Sequence, residues 1–130
     1  MTDGRGLPLS AFTTSAQVAE VHTVETLVDV SVLNQRPDRL LYDKAADADW
    51  LRDALEQRGI EQITPHRKGR THPSRQDGRA LRRYQHRWKV ERTISWLGNC
   101  RRLLVRHEYH AHLFEGFVHW ACLLLCLRWF

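Results

Sequence analysis

Apolar positions recur along this chain with different rhythms, and each rhythm predicts an element. The opening Asp3-Gly4-Arg5-Gly6-Leu7-Pro8-Leu9 reads as a Gly-rich turn entering a strand over about Leu7 to Thr13. Val21, Val24, Leu27, Val28 and Val32 recur at helical spacing, so a helix is predicted within Val18 to Leu33, broken by Arg36-Pro37-Asp38. Arg39-Leu40-Leu41-Tyr42-Asp43 is a short apolar run ending in an acid, the pattern of a buried strand. Asp47 is placed to cap a helix through Trp50, Leu51, Ala54 and Leu55, with Gly59 as its stop. Ile60 to Thr64, closed by Pro65, reads as a second strand, and the strand–helix–strand order predicts a parallel pair with a right-handed crossover.

The second half changes character. His66 to Gly78 is polar, basic and rich in Gly and Pro, the composition of a mobile loop. From Arg79 a helical pattern runs to about Tyr109, with a kink expected at Gly98, and a last apolar helix is expected over roughly Leu113 to Leu127. Its most apolar stretch, Phe117 to Leu127, is too short to cross a bilayer and contains His119, so it reads as a buried helix and no membrane partner is expected. Trp88 and Trp96, eight residues apart, are expected to pack against that helix and not to stack on bases.

Composition narrows the class. The chain has 130 residues, enough for one modest domain or the larger part of one, and 42% are hydrophobic, enough for a core. Its three cysteines, Cys100, Cys122 and Cys126, are odd in number and lack a CxxC pair, which argues against a disulfide framework and a zinc site. Buried reduced thiols in a reducing cytoplasm fit better, and the polar residues after Met1 do not resemble a signal peptide. His107, His110 and His112 lack metalloprotease spacing and read as surface polar residues. The formal net charge is +5, but its distribution is uneven: residues 1–65 hold 6 Lys/Arg against 11 Asp/Glu, and residues 66–106 hold 13 against 2. An acidic half followed by a basic strip suggests a polyanion partner; a solvated basic face is the alternative.

Two acids are candidates for chemistry. Asp43 ends an apolar strand, where α/β sheets open into a crevice, and a carboxylate there can hold a hard divalent cation; it can equally be an Asp that begins a loop. Glu91 stands among Arg79, Arg82, Arg83, Arg87, Lys89 and Arg92. On an ideal helix Tyr84, Arg87 and Glu91 fall within roughly 60° of one another. Glu91 is then either a functional acid or an internal counter-ion to Arg87.

A resemblance joins these residues. Leu41-Tyr42-Asp43-Lys44-Ala45-Ala46-Asp47, with the helix after it, resembles the segment around the second catalytic Asp of DDE transposases of bacterial insertion sequences, families four and five, whose pattern is Asp-Lys-Gly-Tyr-Asp. Tyr84-x2-Arg87-x3-Glu91 is similar to their Tyr-Arg-Glu-Lys signature, and Arg87 to Leu97, Arg101-Arg102-Leu103 and Arg106 to Tyr109 extend the likeness. The resemblance implies a partial ribonuclease-H-like α/β fold, with a short mixed sheet, packed helices and a long C-terminal helical region. It implies DNA transposition by cleavage and strand transfer at insertion-sequence ends, with two Mg²⁺ held by an Asp-Asp-Glu triad. Asp43 and Glu91 become the catalytic and metal-binding acids. Arg67, Lys68, Arg70, Arg83, Tyr84, Arg87, Lys89, Arg92, Arg101 and Arg102 become the DNA-binding set, with DNA and a second copy of the chain as partners.

The chain departs from the family pattern in three places. Ala45-Ala46 replaces Gly-Tyr, and Gly98 stands where the signature has Lys. The family's first catalytic Asp lies on a strand preceding the segment that resembles Thr2 to Leu9, so Asp3 does not match it. The expectation is therefore a C-terminal portion of the catalytic domain, lacking the first catalytic strand and inactive without the upstream part. The rival is a non-catalytic DNA-binding remnant or regulator of transposition.

Overall fold

A computed structural model describes residues 1–32 and 36–128. The chain forms two compact units. Of the described residues, one comprises 1–17, 26–32 and 88–128, and the other 18–25 and 36–87.

The second unit holds the sheet. Strands β1 (Arg39–Leu41) and β2 (Glu61–Ile63) pair in parallel, with Arg39 opposite Glu61 and Leu41 opposite Ile63. Helix α2 (Asp49–Gln57) connects them, as a parallel pair requires a crossover element. Leu51, Leu55, Ile60 and Ile63 are almost fully buried, each burial contributing about 1.5–3 kcal/mol. The strands and α2 thus appear where the apolar pattern puts them. The sheet is parallel, not mixed; antiparallel pairing among the described residues is limited to one isolated bridge, Thr2 to Pro8.

The first unit is built on helices α4 (Trp88–Leu97), α5 (Arg101–Leu104) and α6 (Ala111–Leu127), with α6 packed against both others. No strand forms over Leu7–Thr13. The Thr13 amide donates to Glu115 at 3.3 Å and the Ala11 carbonyl meets the His119 ring at 2.8 Å. Backbone groups satisfied by side chains of α6 have no need of a neighbouring strand. The helix expected within Val18 to Leu33 is confined to a 3-10 turn, Glu20–Thr23, and α1 (Val24–Asp29). The Val32 amide peels away to the Leu9 carbonyl at 2.9 Å, and Leu33 lies outside the described residues.

The long helix expected from Arg79 to Tyr109 is broken. Helix α3 (Gly78–Leu81) passes into a 3-10 segment, Arg82–Arg87, before α4 begins. After α4, the Asn99 and Cys100 amides turn back to Trp96 and Leu97, tightening the end at Gly98–Cys100. α6 is half exposed and not buried. Ala121 and Leu125 are covered, whereas Leu113, Phe117, Trp120, Leu123, Leu124 and Leu127 remain at least 37% accessible. Among the described residues, no helix is long and apolar enough to cross a membrane.

Candidate active site

Asp43 follows β1 by two residues and caps the 3-10 turn Lys44–Ala46, its Oδ1 accepting the Lys44 amide at 2.6 Å. Its backbone carbonyl accepts the Thr64 hydroxyl at 2.7 Å and the Ala46 amide at 2.9 Å. The two strand ends are thereby tied together directly beneath the carboxylate. Arg87 Nη2 stands 3.4 Å from Asp43 Oδ2, longer than a tight charge-assisted hydrogen bond. Arg87 also donates to the Tyr84 hydroxyl at 2.9 Å, with its guanidinium 5.9 Å from the Tyr84 ring centre. The local 3-10 geometry explains this contact, because residues three apart eclipse one another on a 3-10 helix. Of the expected signature, Arg87 therefore approaches Asp43, and Tyr84 holds Arg87.

Glu91 belongs to the other unit. It is exposed on α4, the helix that also carries Lys89, Arg92 and Thr93. These three reach the N-terminal turn: Lys89 Nζ donates to the Gly4 carbonyl at 2.6 Å, Arg92 Nη2 to Arg5 at 2.7 Å, and the buried Thr93 hydroxyl to Gly6. Gly6 has φ +95°, and a Cβ there would lie 3.1 Å from Arg92 Nη2 and Thr93 Oγ1. Asp3 organises the same turn, its Oδ1 accepting the Arg5 and Leu7 amides at 2.8 Å each.

The remaining DNA-binding candidates differ in what they touch. Arg67, Lys68, Arg83 and Arg101 are exposed, whereas Arg70 has only 14% of its side chain accessible and pairs with Asp47 and Asp49. Arg102 pairs with Glu108 at 3.1 Å and lies over the Phe117 ring. Arg92 sits between the Trp88 and Trp96 rings, at 4.9 and 4.7 Å from their centres. Trp88 is 50% exposed, and both rings meet the Arg92 guanidinium in a cation–π stack along α4. His107, His110 and His112 are exposed, and the three cysteines are free and only partly buried. Burial pushes the Cys122 thiol up. Burial likewise pushes the Tyr42 phenol up, with Glu20 and Asp43 adding to it.

Sequence reasoning made Asp47 a helix cap. The structure instead places Ala48 at that position and turns Asp47 toward cations, since its carboxylate gains more from charged donors than from one amide. Burial would raise its pKa, but the Arg67 amide, the Arg70 guanidinium and His66 outweigh burial and hold it below the ordinary carboxylate range. Asp49 is also held low, chiefly by its hydrogen bond with Arg70. Thr64, Arg52 and Gln62 were missed as well. All three are polar residues beside apolar neighbours, and their positions inside the predicted β2 region and α2 were the signal available.

The carboxylates present are hard oxygen donors of the kind Mg²⁺ takes, and Asp43 keeps 37% of its side chain accessible. Among the described residues, no group of three or more His, Cys, Asp or Glu converges.

Comparison with known proteins places these features in a family. The transposase DDE domain model matches residues 1–126. The chain is 35% identical to a Burkholderia cepacia protein named as a transposase for insertion sequence element IS402, over 97% of this chain and 60% of that protein. It therefore spans about three-fifths of the relative's length. No solved structure matches it. The match across both candidate acids shows that the chain belongs to the transposase DDE domain family.

Proposed function

We propose that this chain carries two of the three acids of a DDE transposase site, Asp43 and Glu91, on a partial ribonuclease-H-like fold. The observation that supports it best is the approach of Arg87, itself bonded to Tyr84, to Asp43, because two residues of a family signature are thereby linked to a strand-end carboxylate. Asp43 and Glu91 would hold divalent metal ions, which supply Lewis-acid stabilisation and an activated oxygen nucleophile for phosphodiester cleavage. The chain's own contribution is positional. Thr64 anchors the Asp43 backbone carbonyl, and the Lys44 amide fixes the direction of its carboxylate. Tyr84 fixes Arg87, whose guanidinium can bind a phosphate oxygen beside Asp43. Outward cations of the basic strip bind the DNA backbone without reading sequence.

The reading is tested on terminal-repeat DNA with Mg²⁺ or Mn²⁺. The 130-residue chain alone is expected not to cut, and supplying the remaining portion of the transposase is expected to restore cleavage. Asp43→Ala and Glu91→Ala should each abolish restored cleavage while leaving DNA affinity within about twofold. Robust nicking by the chain alone would refute the two-acid assignment. The second reading, a DNA-binding regulator, is favoured by the exposed cations Arg67, Lys68, Arg83 and Arg101. It predicts metal-independent DNA binding and no complementation with any upstream portion.

A further inference from the structure

The segment between β2 and α3 contains a tight turn whose two ends are held by a single carboxylate. In Arg67-Lys68-Gly69-Arg70 the Arg70 amide donates to the Arg67 carbonyl at 3.2 Å, and Gly69 has φ +87°. A positive φ at the third position is the requirement of a type II turn, which glycine meets without strain. Asp47, with 4% of its side chain accessible, accepts the Arg67 amide through Oδ2 at 2.9 Å and Arg70 Nη1 through Oδ1 at 2.8 Å. His66 Nδ1 lies 3.2 Å from Oδ2, and Arg52 Nη2 lies 3.5 Å from Oδ1.

The segment's charges divide cleanly. Arg70 also pairs with Asp49, and Arg75 pairs with Asp53 at 2.6 Å and approaches Glu56 at 3.7 Å. Both arginines thus face the acids of α2. Gln76 Oε1 adds a further tether, accepting the Thr64 amide at 3.1 Å and Arg52 Nη1 at 3.3 Å. Arg67 and Lys68, at the tip, are exposed, and no ion pair reaches either side chain among the described residues. A polar, Gly- and Pro-containing segment has no apolar core to fix it, so its conformation depends on these ionic contacts. This is the opposite of the free basic loop that composition suggests.

We propose that Asp47 is a positioning residue for the DNA contact: by gripping both ends of the Arg67–Arg70 turn, it presents Arg67 and Lys68 to the phosphate backbone. Arg70 and Arg75 serve the fold and not the DNA. This inference rests on the DNA-binding part of the reading above. It has an unusual sign. Removing an acid from a basic strip should tighten polyanion binding by charge alone, whereas removing a positioning acid should weaken it.

The test measures duplex DNA affinity of the 130-residue chain by fluorescence anisotropy across salt concentrations. Losing two phosphate contacts, in Arg67→Ala/Lys68→Ala, should make the log–log salt slope shallower by about two and weaken binding about thirtyfold at 0.15 M salt. Asp47→Ala should weaken binding severalfold or more despite its added positive charge, and should speed tryptic cleavage after Arg67 and Lys68. Combined with the double substitution, it should cause no further loss, because all three changes act on one contact. Gly69→Val disturbs the turn without touching any charge; it should reproduce the weaker binding and keeps the test valid if Asp47→Ala does not fold. Binding as tight as the parent in Gly69→Val and in any folded Asp47→Ala, alongside weakened Arg67→Ala/Lys68→Ala, would overturn the positioning role and leave the DNA reading intact. Unchanged affinity in Arg67→Ala/Lys68→Ala would show that the tip does not meet DNA and would likewise overturn the positioning role, whereas absence of salt-sensitive duplex binding by the parent would sink the DNA reading itself.

Discussion

Replacing Gly6 by Ala should destabilise the unit that carries Glu91 by about 2–3 kcal/mol. The backbone there has φ +95°, where an L side chain costs about 1–2 kcal/mol. The added Cβ would stand 3.1 Å from Arg92 Nη2 and Thr93 Oγ1, and 3.2 Å from the Lys89 carbonyl. The two side-chain tips can shift by a few tenths of an ångström, but the Lys89 carbonyl belongs to α4 and cannot yield without moving the helix. Displacing the Thr93 hydroxyl also loosens its bond to the Gly6 carbonyl, and an unsatisfied buried group costs about 1–3 kcal/mol. Thr93→Val removes that bond while keeping the shape, so it should cost about 1–2 kcal/mol by itself. Both substitutions break the same strut, so the double variant should lose less than the sum. Urea unfolding gives the totals, and hydrogen exchange at the α4 amides assigns the loss to this unit. A Gly6→Ala change within 0.5 kcal/mol of the parent, or strict additivity with Thr93→Val, would refute the idea that the N-terminal turn braces the helix bearing Glu91.

Three further outcomes follow from the same contacts. Leu55→Ala, at a fully buried position between α2 and the sheet, should cost about 2–5 kcal/mol in urea unfolding. Asp47 has a folded pKa below its unfolded value, so its stabilisation is present above the unfolded pKa of about 3.9 and is lost as pH falls through the lower folded value. Urea midpoints measured from pH 6 to pH 2 should therefore fall less in Asp47→Asn than in the parent. The Cys122 thiol, raised by burial, should alkylate more slowly at pH 8 than the same residue in urea, which mass spectrometry of the labelled peptide would report.

The sheet and α2 were legible because their signal is local: apolar runs of strand length, a helical stripe between them and a glycine after it. Leu51, Leu55, Ile60 and Ile63 occupy the core that pattern implies. The failures came where distant groups decide. Leu7 to Thr13 has strand composition, yet Ala11 and Thr13 are met by His119 and Glu115, more than a hundred residues away, and Leu7 and Leu9 by Asp3, Met1 and Val32. Arg79 to Tyr109 keeps a helical rhythm throughout, but periodicity does not distinguish α from 3-10 geometry, and Arg82–Arg87 winds tighter as Arg87 bonds Tyr84 and approaches Asp43. The apolar run of α6 predicts burial, yet hydrophobicity sets what a helix tends to do, not what surface is present to cover it.

Charge was legible as a sum and illegible as a surface. Residues 66–106 hold 13 Lys/Arg against 2 Asp/Glu, which by count describes a strip wholly available to a polyanion. In the structure Arg70 and Arg75 face the carboxylates of Asp47, Asp49 and Asp53, Lys89 and Arg92 donate to backbone carbonyls of the N-terminal turn, and Arg106 donates to the carbonyls of Glu108 and Tyr109. Those cations stabilise the chain's own folded units and must exchange an existing partner before meeting a phosphate. The acids that look like opposition to DNA binding in the first half of the sequence are thus what gives the basic segment its shape. The same logic separates the two aspartates of the Asp43–Asp47 motif. Asp43 keeps a partly accessible carboxylate with one loosely held cation, the condition for chemistry. Asp47 is saturated with donors and nearly inaccessible, the condition for architecture. Two acids four residues apart in the sequence therefore stand in different surroundings, one partly open and one enclosed by donors, and only the count of donors around each tells them apart.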